Sequence, residues 1–294
     1  MHTQLDQSEL VLSENITMAT HTAITATRQM GRCDAPPPPR LWRSGGNGNQ
    51  ASPNLQTVGP LSKHYPIDFV LSFDIEKTGE SPQENSMVAL GGCIASVSKS
   101  IVLERFVVFM KLEEGHCFDP LCKREYWDNW IKFPMNKKVL WHILEEGVSP
   151  REGIRQFAEW LDKWERYFEE HTSMKLALAV DTVGSDTMWV SHYFQKYLTT
   201  SDGKPRPPIE DQYGEQGRYR PIMHSNAFAQ GLAQSDFSKG FDWRQELRNM
   251  GVQLPPDDMH NHMPDSDAEY IAKTFAACVR WTHDRRMLAG SSTT

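Results

Sequence analysis

Between residues 65 and 112 the apolar positions come in short runs separated by turn residues. Phe69, Val70 and Leu71 open the first run, which continues through Ser72-Phe73-Asp74-Ile75-Glu76-Lys77 and stops at Thr78-Gly79. This pattern predicts a buried strand running into a turn. Strand side chains alternate between faces, so Asp74 and Glu76 share one face while Phe73 and Ile75 share the other. A second apolar run, Met87 to Val97, is interrupted by Gly91-Gly92. A turn at Ser98-Lys99-Ser100 leads into a third, Ile101 to Leu112. Three consecutive strands are expected, the last two paired as a hairpin.

Further along, the period changes. Ser149-Pro150-Arg151-Glu152 is a capping box with proline at the first helical position. It opens an amphipathic helix whose stripe is Ile154, Phe157, Leu161, Trp164 and Phe168. Lys175 to Val180 is short and apolar, hence a central strand. It ends at Asp181-Thr182-Val183-Gly184-Ser185-Asp186, and a helix follows with Trp189, Val190, Tyr193 and Tyr197 on its apolar face. Asp186 lies on that same face. The bland reading makes Asp186 a helix cap, although Ser185 can serve as one. Residues 199–221 read as an insertion rich in Pro, Gly and charge. Pro221 to His224 reads as a last short strand before a helix around Ala227, and Asp242 to Met250 as a helix stopped by Gly251. Ser266 and Glu269 suggest a second capping box. It would open a final helix that buries Ala268, Ile271, Ala272, Phe275 and Val279.

Residues 1–62, with Pro36 to Pro39 and Ser44 to Asn49, show little periodicity and are expected to form a disordered tail. The proline run suits either a linker or docking to an aromatic groove. A folded domain is expected over 63–285, with a flexible end at 286–294. Tyr126-Trp127-Asp128-Asn129-Trp130 falls in a stretch of unclear pattern. Its tryptophans would either stack on nucleobases or, as is more common, pack a helix onto the core.

Composition narrows the function. Hydrophobic residues at 39% and charged residues at 23% suit an ordinary soluble chain. No apolar run approaches the roughly 20 residues that span a bilayer, and the start of the chain does not read as a secretory signal. Five irregularly spaced cysteines argue against a disulfide framework and for a reducing compartment, cytoplasm or nucleus. His116, Cys117 and Cys122 hint at zinc without fitting a common motif. The net charge of −7 speaks against holding duplex nucleic acid by bulk electrostatics, but not against gripping one strand end. Two carboxylates side by side on a strand repel each other. Either one is protonated, or a divalent cation sits between them, or they stand solvated at a sheet edge.

The order of strand with Asp-x-Glu, hairpin, helix, strand, aspartate at a helix start and His-x4-Asp at the last helix resembles the DnaQ-like (DEDDh) 3′–5′ exonuclease family of the ribonuclease H-like superfold. The resemblance covers about residues 66–282. Asp74-Ile75-Glu76-Lys77-Thr78-Gly79 is similar to that family's first motif, and Asp181 to Asp186 to the second motif of its oligoribonuclease-type branch. There an asparagine usually stands where this chain has Asp181. His262-Met263-Pro264-Asp265-Ser266-Asp267-Ala268 is similar to the third motif. His260 and Asp265 have the same spacing as His262 and Asp267. The second pair is preferred because Ala268 follows and Asp267 falls in the first helical turn.

The resemblance implies a mixed five-stranded α/β sheet with its second strand antiparallel and helices on both faces. It implies two Mg²⁺ or Mn²⁺ ions held by Asp74, Glu76, Asp186 and Asp267, Asp74 bridging, with His262 as general base. The substrate would be the 3′ end of a single strand, RNA or DNA, releasing nucleoside 5′-monophosphates. Thr78, Gly79, Trp127 and Trp130 are the substrate-binding candidates, and a homodimer is a further expectation. The rivals are a non-catalytic member of the same fold that binds strand ends or a protein, and an unrelated metal hydrolase built on His260-x-His262.

Overall fold

The structure, a computed structural model, describes residues 65–130, 140, 142–171, 174–214, 222–234 and 242–291. The expected N-terminal tail lies outside them. The apolar runs form β1 (Phe69–Lys77), β2 (Met87–Ser96) and β3 (Val102–Phe109). After the long helix α1 (Pro150–Glu170), β4 (Leu176–Val180) follows, then α2 (Met188–Tyr197) and α3 (Ile209–Gly214). The chain continues through β5 (Met223–His224), α4 (Ser225–Leu232), α5 (Trp243–Asn249) and α6 (Pro264–Ser291).

The five strands form one sheet in the order β3-β2-β1-β4-β5. β2 runs antiparallel to β1 and β3, while β4 pairs parallel with β1 and β5. This is the mixed sheet expected from the sequence. Alternation along β1 divides its side chains between two layers. Phe69, Leu71, Phe73 and Ile75 pack with Phe157, Leu161 and Trp164 of α1 and with Trp189 and Tyr193. Val70 packs on the opposite face with Ala268, Ile271, Ala272 and Phe275 of α6. On that same face Ser72 donates a hydrogen bond to the carbonyl of Ala268. Ser72, Asp74 and Glu76 therefore point toward the start of α6.

Two adjacent glycines set how closely the helices approach. A Cβ on Gly91 would lie 2.1 Å from the backbone carbon of Pro264, and one on Gly92 would lie 2.8 Å from the Trp160 ring. Gly91 is paired with Asp74 across the sheet. The first turn of α6 thus rests on bare backbone beside Asp74.

The structure corrects one of these expectations and adds detail to others. Ser266 and Glu269 do not form a capping box, because α6 begins at Pro264. Ser266 Oγ instead donates to the Met259 carbonyl at 2.6 Å, and Glu269 is drawn into ion pairs with Arg105 and Lys273. The final helix continues to Ser291. The segment around Asp186 begins as a π turn, Val183–Thr187, before α2. The 199–221 insertion contains α3, and residues 215–221 lie outside the described part.

Candidate active site

Asp74 and Glu76 stand near the C-terminal end of β1, where the strand meets a segment from well downstream. Asp119 N–H donates to the Thr78 carbonyl at 2.8 Å, and Trp127 Nε1 donates to the Lys77 carbonyl at 3.0 Å. Trp127 is 2% exposed and meets Phe118 and Tyr126 edge-on. It packs and offers no open face to a base. The side chain of Trp130 lies outside the described residues. Thr78 is fully buried; its hydroxyl donates to the Cys117 carbonyl at 3.1 Å and accepts from Ser86 N–H at 2.9 Å. Gly79 leaves room for Asn85, whose Oδ1 would lie 2.2 Å from an added Cβ. Thr78 and Gly79 therefore support the loop that carries the downstream segment.

Docking of that segment delivers Tyr126. Its hydroxyl donates to Glu76 Oε2 at 2.6 Å, and its ring meets His262 edge-on with centroids 5.4 Å apart. In the sequence Tyr126 is one member of an aromatic stretch and carries no mark of a site. Its only signal there was an aromatic cluster whose period fits packing as well as it fits a site.

Asp186 is brought in by the turn after β4. It is 7% exposed and accepts the Thr182 N–H at 3.3 Å. Lys77 is tied to this turn through Ser185 Oγ at 2.9 Å and to Glu80 at 2.6 Å. Asp267 is 2% exposed in the first turn of α6. It accepts N–H bonds from Asn261 at 2.9 Å and His262 at 3.1 Å, so it holds the preceding loop. His262 there adopts φ +61°, a left-handed conformation rare for a non-glycine residue. Ligand atoms of Glu76, His262 and Asp267 all lie within 4.8 Å of one another. This is the only such metal-ligating group of three among the described residues. His116, Cys117 and Cys122 do not assemble: His116 Nδ1 faces the Asn85 carbonyl at 2.6 Å and Cys122 Sγ the Lys77 carbonyl at 3.8 Å.

The alternative pair lies differently. Asp265 is half-buried near Arg105, whose charge partly offsets the upward push of burial on its carboxyl. His260 Nε2 is 3.8 Å from Asp267 Oδ2, on the flank of the cluster.

Electrostatics at the site run one way. Burial, then the charges of Glu76, Asp186, Asp267 and Asp181, hold Asp74 well above the usual carboxylate range. Burial pushes Glu76 up to about 8, against the opposing hydrogen bond from Tyr126. It pushes Asp186 up to about 7 and Asp267 up to about 6. Burial lowers the pKa of His262, and Asp267 opposes the shift. His260 is lowered by burial too, with Asp181 opposing and Arg244 adding to the shift. Asp181, which accepts a hydrogen bond from Ser225 Oγ at 2.5 Å, is a fifth acid whose charge reaches this group. From the sequence it registered only as a departure from asparagine.

Buried oxygen donors in excess of nearby positive charge fit a divalent cation. Hard carboxylate ligands suit Mg²⁺ or Mn²⁺. Asp74, Glu76, Asp186 and Asp267 are the residues that would hold such ions.

No family model matches the sequence, and no curated protein matches it. Solved structures do. The nuclease domain of 3′hExo, a DEDDh family member bound to rAMP, matches over 74% of this chain and 94% of its own, at 12% identity and a TM-score of 0.41. E. coli exonuclease I in complex with a 5cy-dT13 oligonucleotide matches over 74% of this chain and 42% of its own, at 13% identity and a TM-score of 0.46. Exonuclease I from Methylocaldum szegediense matches over 72% of this chain and 40% of its own, at 14% identity and a TM-score of 0.43. The chain spans less than half the length of both exonuclease I chains.

Proposed function

We propose that this chain is a metal-dependent exonuclease that hydrolyses single-stranded nucleic acid from its 3′ end and releases nucleoside 5′-monophosphates. The observation that most supports this is that ligand atoms of Glu76, His262 and Asp267 lie within 4.8 Å of one another, with Asp74 and Asp186 close enough for their charges to act on the same group. Four acids forced together without matching cations make a poor structural core and a good cation receptor. Divalent ions bound there would supply charge stabilisation at the phosphate and lower the pKa of a bound water.

The chain's own groups have separate tasks. Asp74, Glu76, Asp186 and Asp267 are the residues that would hold the ions. Partial desolvation shifts the pKa of His262 downward, against the opposing charge of Asp267, which favours a ring nitrogen able to accept the proton of the attacking water. Asp267 orients the loop that presents it through the two N–H bonds from Asn261 and His262. Tyr126 fixes one oxygen of Glu76, and the other would be left for a metal.

Incubating 5′-labelled single-stranded RNA and DNA with Mg²⁺ or Mn²⁺ tests the reading. A ladder shortening from the 3′ end, lost in Asp74→Ala and His262→Ala, is expected, and the better substrate identifies the preferred polymer. Intact strands with both metals would overturn the catalytic reading and leave end-binding without cleavage.

A further inference from the structure

Arg244 sits in the first turn of α5, whose N-terminus is capped by Asp242. Its Nε donates to the Tyr270 hydroxyl at 2.8 Å. The guanidinium lies over the Trp243 ring at 4.4 Å and beside the Tyr270 ring at 5.7 Å. Tyr270 belongs to α6, three residues after Asp267, and is buried. Its ring neighbours that of His260 at 5.5 Å, and His260 Nε2 is 3.8 Å from Asp267. A continuous row of side chains, Asp267, His260, Tyr270 and Arg244, thus leads from the acid cluster to a half-buried guanidinium.

That guanidinium has a distinctive charge environment. Arg248, on the same helix, is paired with Asp257 at 2.7 Å. Among the described residues no carboxylate forms an ion pair with the Arg244 guanidinium, although Asp257, paired with Arg248, also feels its charge; the Arg244 side chain contacts two rings and one hydroxyl. Stacking and one hydrogen bond fix the planar group and leave its terminal N–H donors for an anion. Arginine in this state suits the oxygens of a phosphate. A strand entering an acid cluster is repelled by it, and metal ions offset that repulsion only at the scissile phosphate. The next phosphate needs a cation of the protein.

We propose that Arg244 binds the phosphodiester adjacent to the scissile one, so that the site favours strands carrying a phosphate beyond the bond being cut. This rests on the exonuclease reading above.

The test uses the full chain and two substrates, a single-stranded oligonucleotide and the p-nitrophenyl ester of thymidine 5′-monophosphate, which has one phosphate only. In Arg244→Gln, KM on the strand is expected to rise about ten-fold relative to KM on the ester, the scale of one lost charge-assisted contact. The slope of log(kcat/KM) against log salt should become shallower by about 0.7, one phosphate contact on a single strand. Arg244→Lys keeps the charge without the fork and should restore the salt slope but only part of the KM. A purely structural role would lower activity on both substrates in parallel and leave the slope unchanged in the glutamine variant, which would overturn the proposal. Wild-type protein inactive on both substrates would instead defeat the exonuclease reading, and this inference with it.

Discussion

The hydroxyl of Tyr126 donates to Glu76 Oε2 at 2.6 Å, joining a residue of the docked downstream segment to an acid of β1. With its ring against His262, Tyr126 touches both a proposed metal ligand and the proposed base. Tyr126→Phe retains the ring and deletes the bond. The expected result is a Mn²⁺ affinity about ten-fold weaker, the lower end of what outer partners of metal ligands contribute. Titration calorimetry of Mn²⁺ into the variant checks this. An unchanged affinity would make Tyr126 a packing residue alone.

The acid cluster predicts how stability of the metal-free protein depends on pH. Unfolded Asp and Glu titrate near their ordinary values of about 3.9 and 4.3. Folded Glu76, Asp186 and Asp267 titrate at about 8, 7 and 6. Between those limits the folded state holds protons that the unfolded state has released, so stability falls as pH rises. The stability contributed by these groups is fully present near pH 4 and lost as pH rises through 8. Thermal unfolding in EDTA should give a higher Tm at pH 5 than at pH 8, by about 2–4 °C for each kcal/mol in a domain of this size. Adding Mg²⁺ should raise the Tm most at pH 8, where the carboxylates are ionised. A Tm that rises with pH in EDTA would contradict the assigned direction.

Asp181→Asn removes the fifth acid while its amide oxygen can still accept from Ser225. With that charge gone, the upward push on Asp74, Asp186 and Asp267 is reduced. The fall of Tm between pH 5 and pH 8 in EDTA should therefore be shallower in the variant. An identical pH profile would place Asp181 outside the electrostatics of the site.

Gly91 is where the sheet admits the first turn of α6. An alanine methyl there would lie 2.1 Å from the Pro264 backbone, which cannot yield as a flexible side chain can. Gly91→Ala should destabilise the fold by about 1–3 kcal/mol through overpacking and weaken Mn²⁺ binding by displacing Asp267. Gly231, in α4, meets no outside atom within 4 Å, and Gly231→Ala should be neutral to stabilising by up to about 1 kcal/mol. Denaturant melts of the two variants give the comparison.

Much of this arrangement was legible in the sequence because local pattern and tertiary demand agree there. The alternation in β1 put Asp74 and Glu76 on one face, and the apolar stripe of the following helix pulled Asp186 toward the core. Ser149 does cap α1 as its motif suggests, accepting from Glu152 N–H at 3.2 Å. At Ser266 and Glu269 local and tertiary demands diverge: the helix starts earlier, and Arg105 on β3 captures the glutamate. Tyr126 was hidden for a different reason. Its partner Glu76 is 50 residues away in sequence, and the short helical turns that carry Tyr126 have no clean period.

The most direct test places the label at the 3′ end of a single strand. With Mg²⁺ or Mn²⁺, the first labelled product should be a mononucleotide at every time point, and Asp267→Asn should abolish it. Labelled fragments of intermediate length appearing first would mean internal cleavage or attack from the 5′ end, and would contradict a 3′–5′ exonuclease built on this acid cluster.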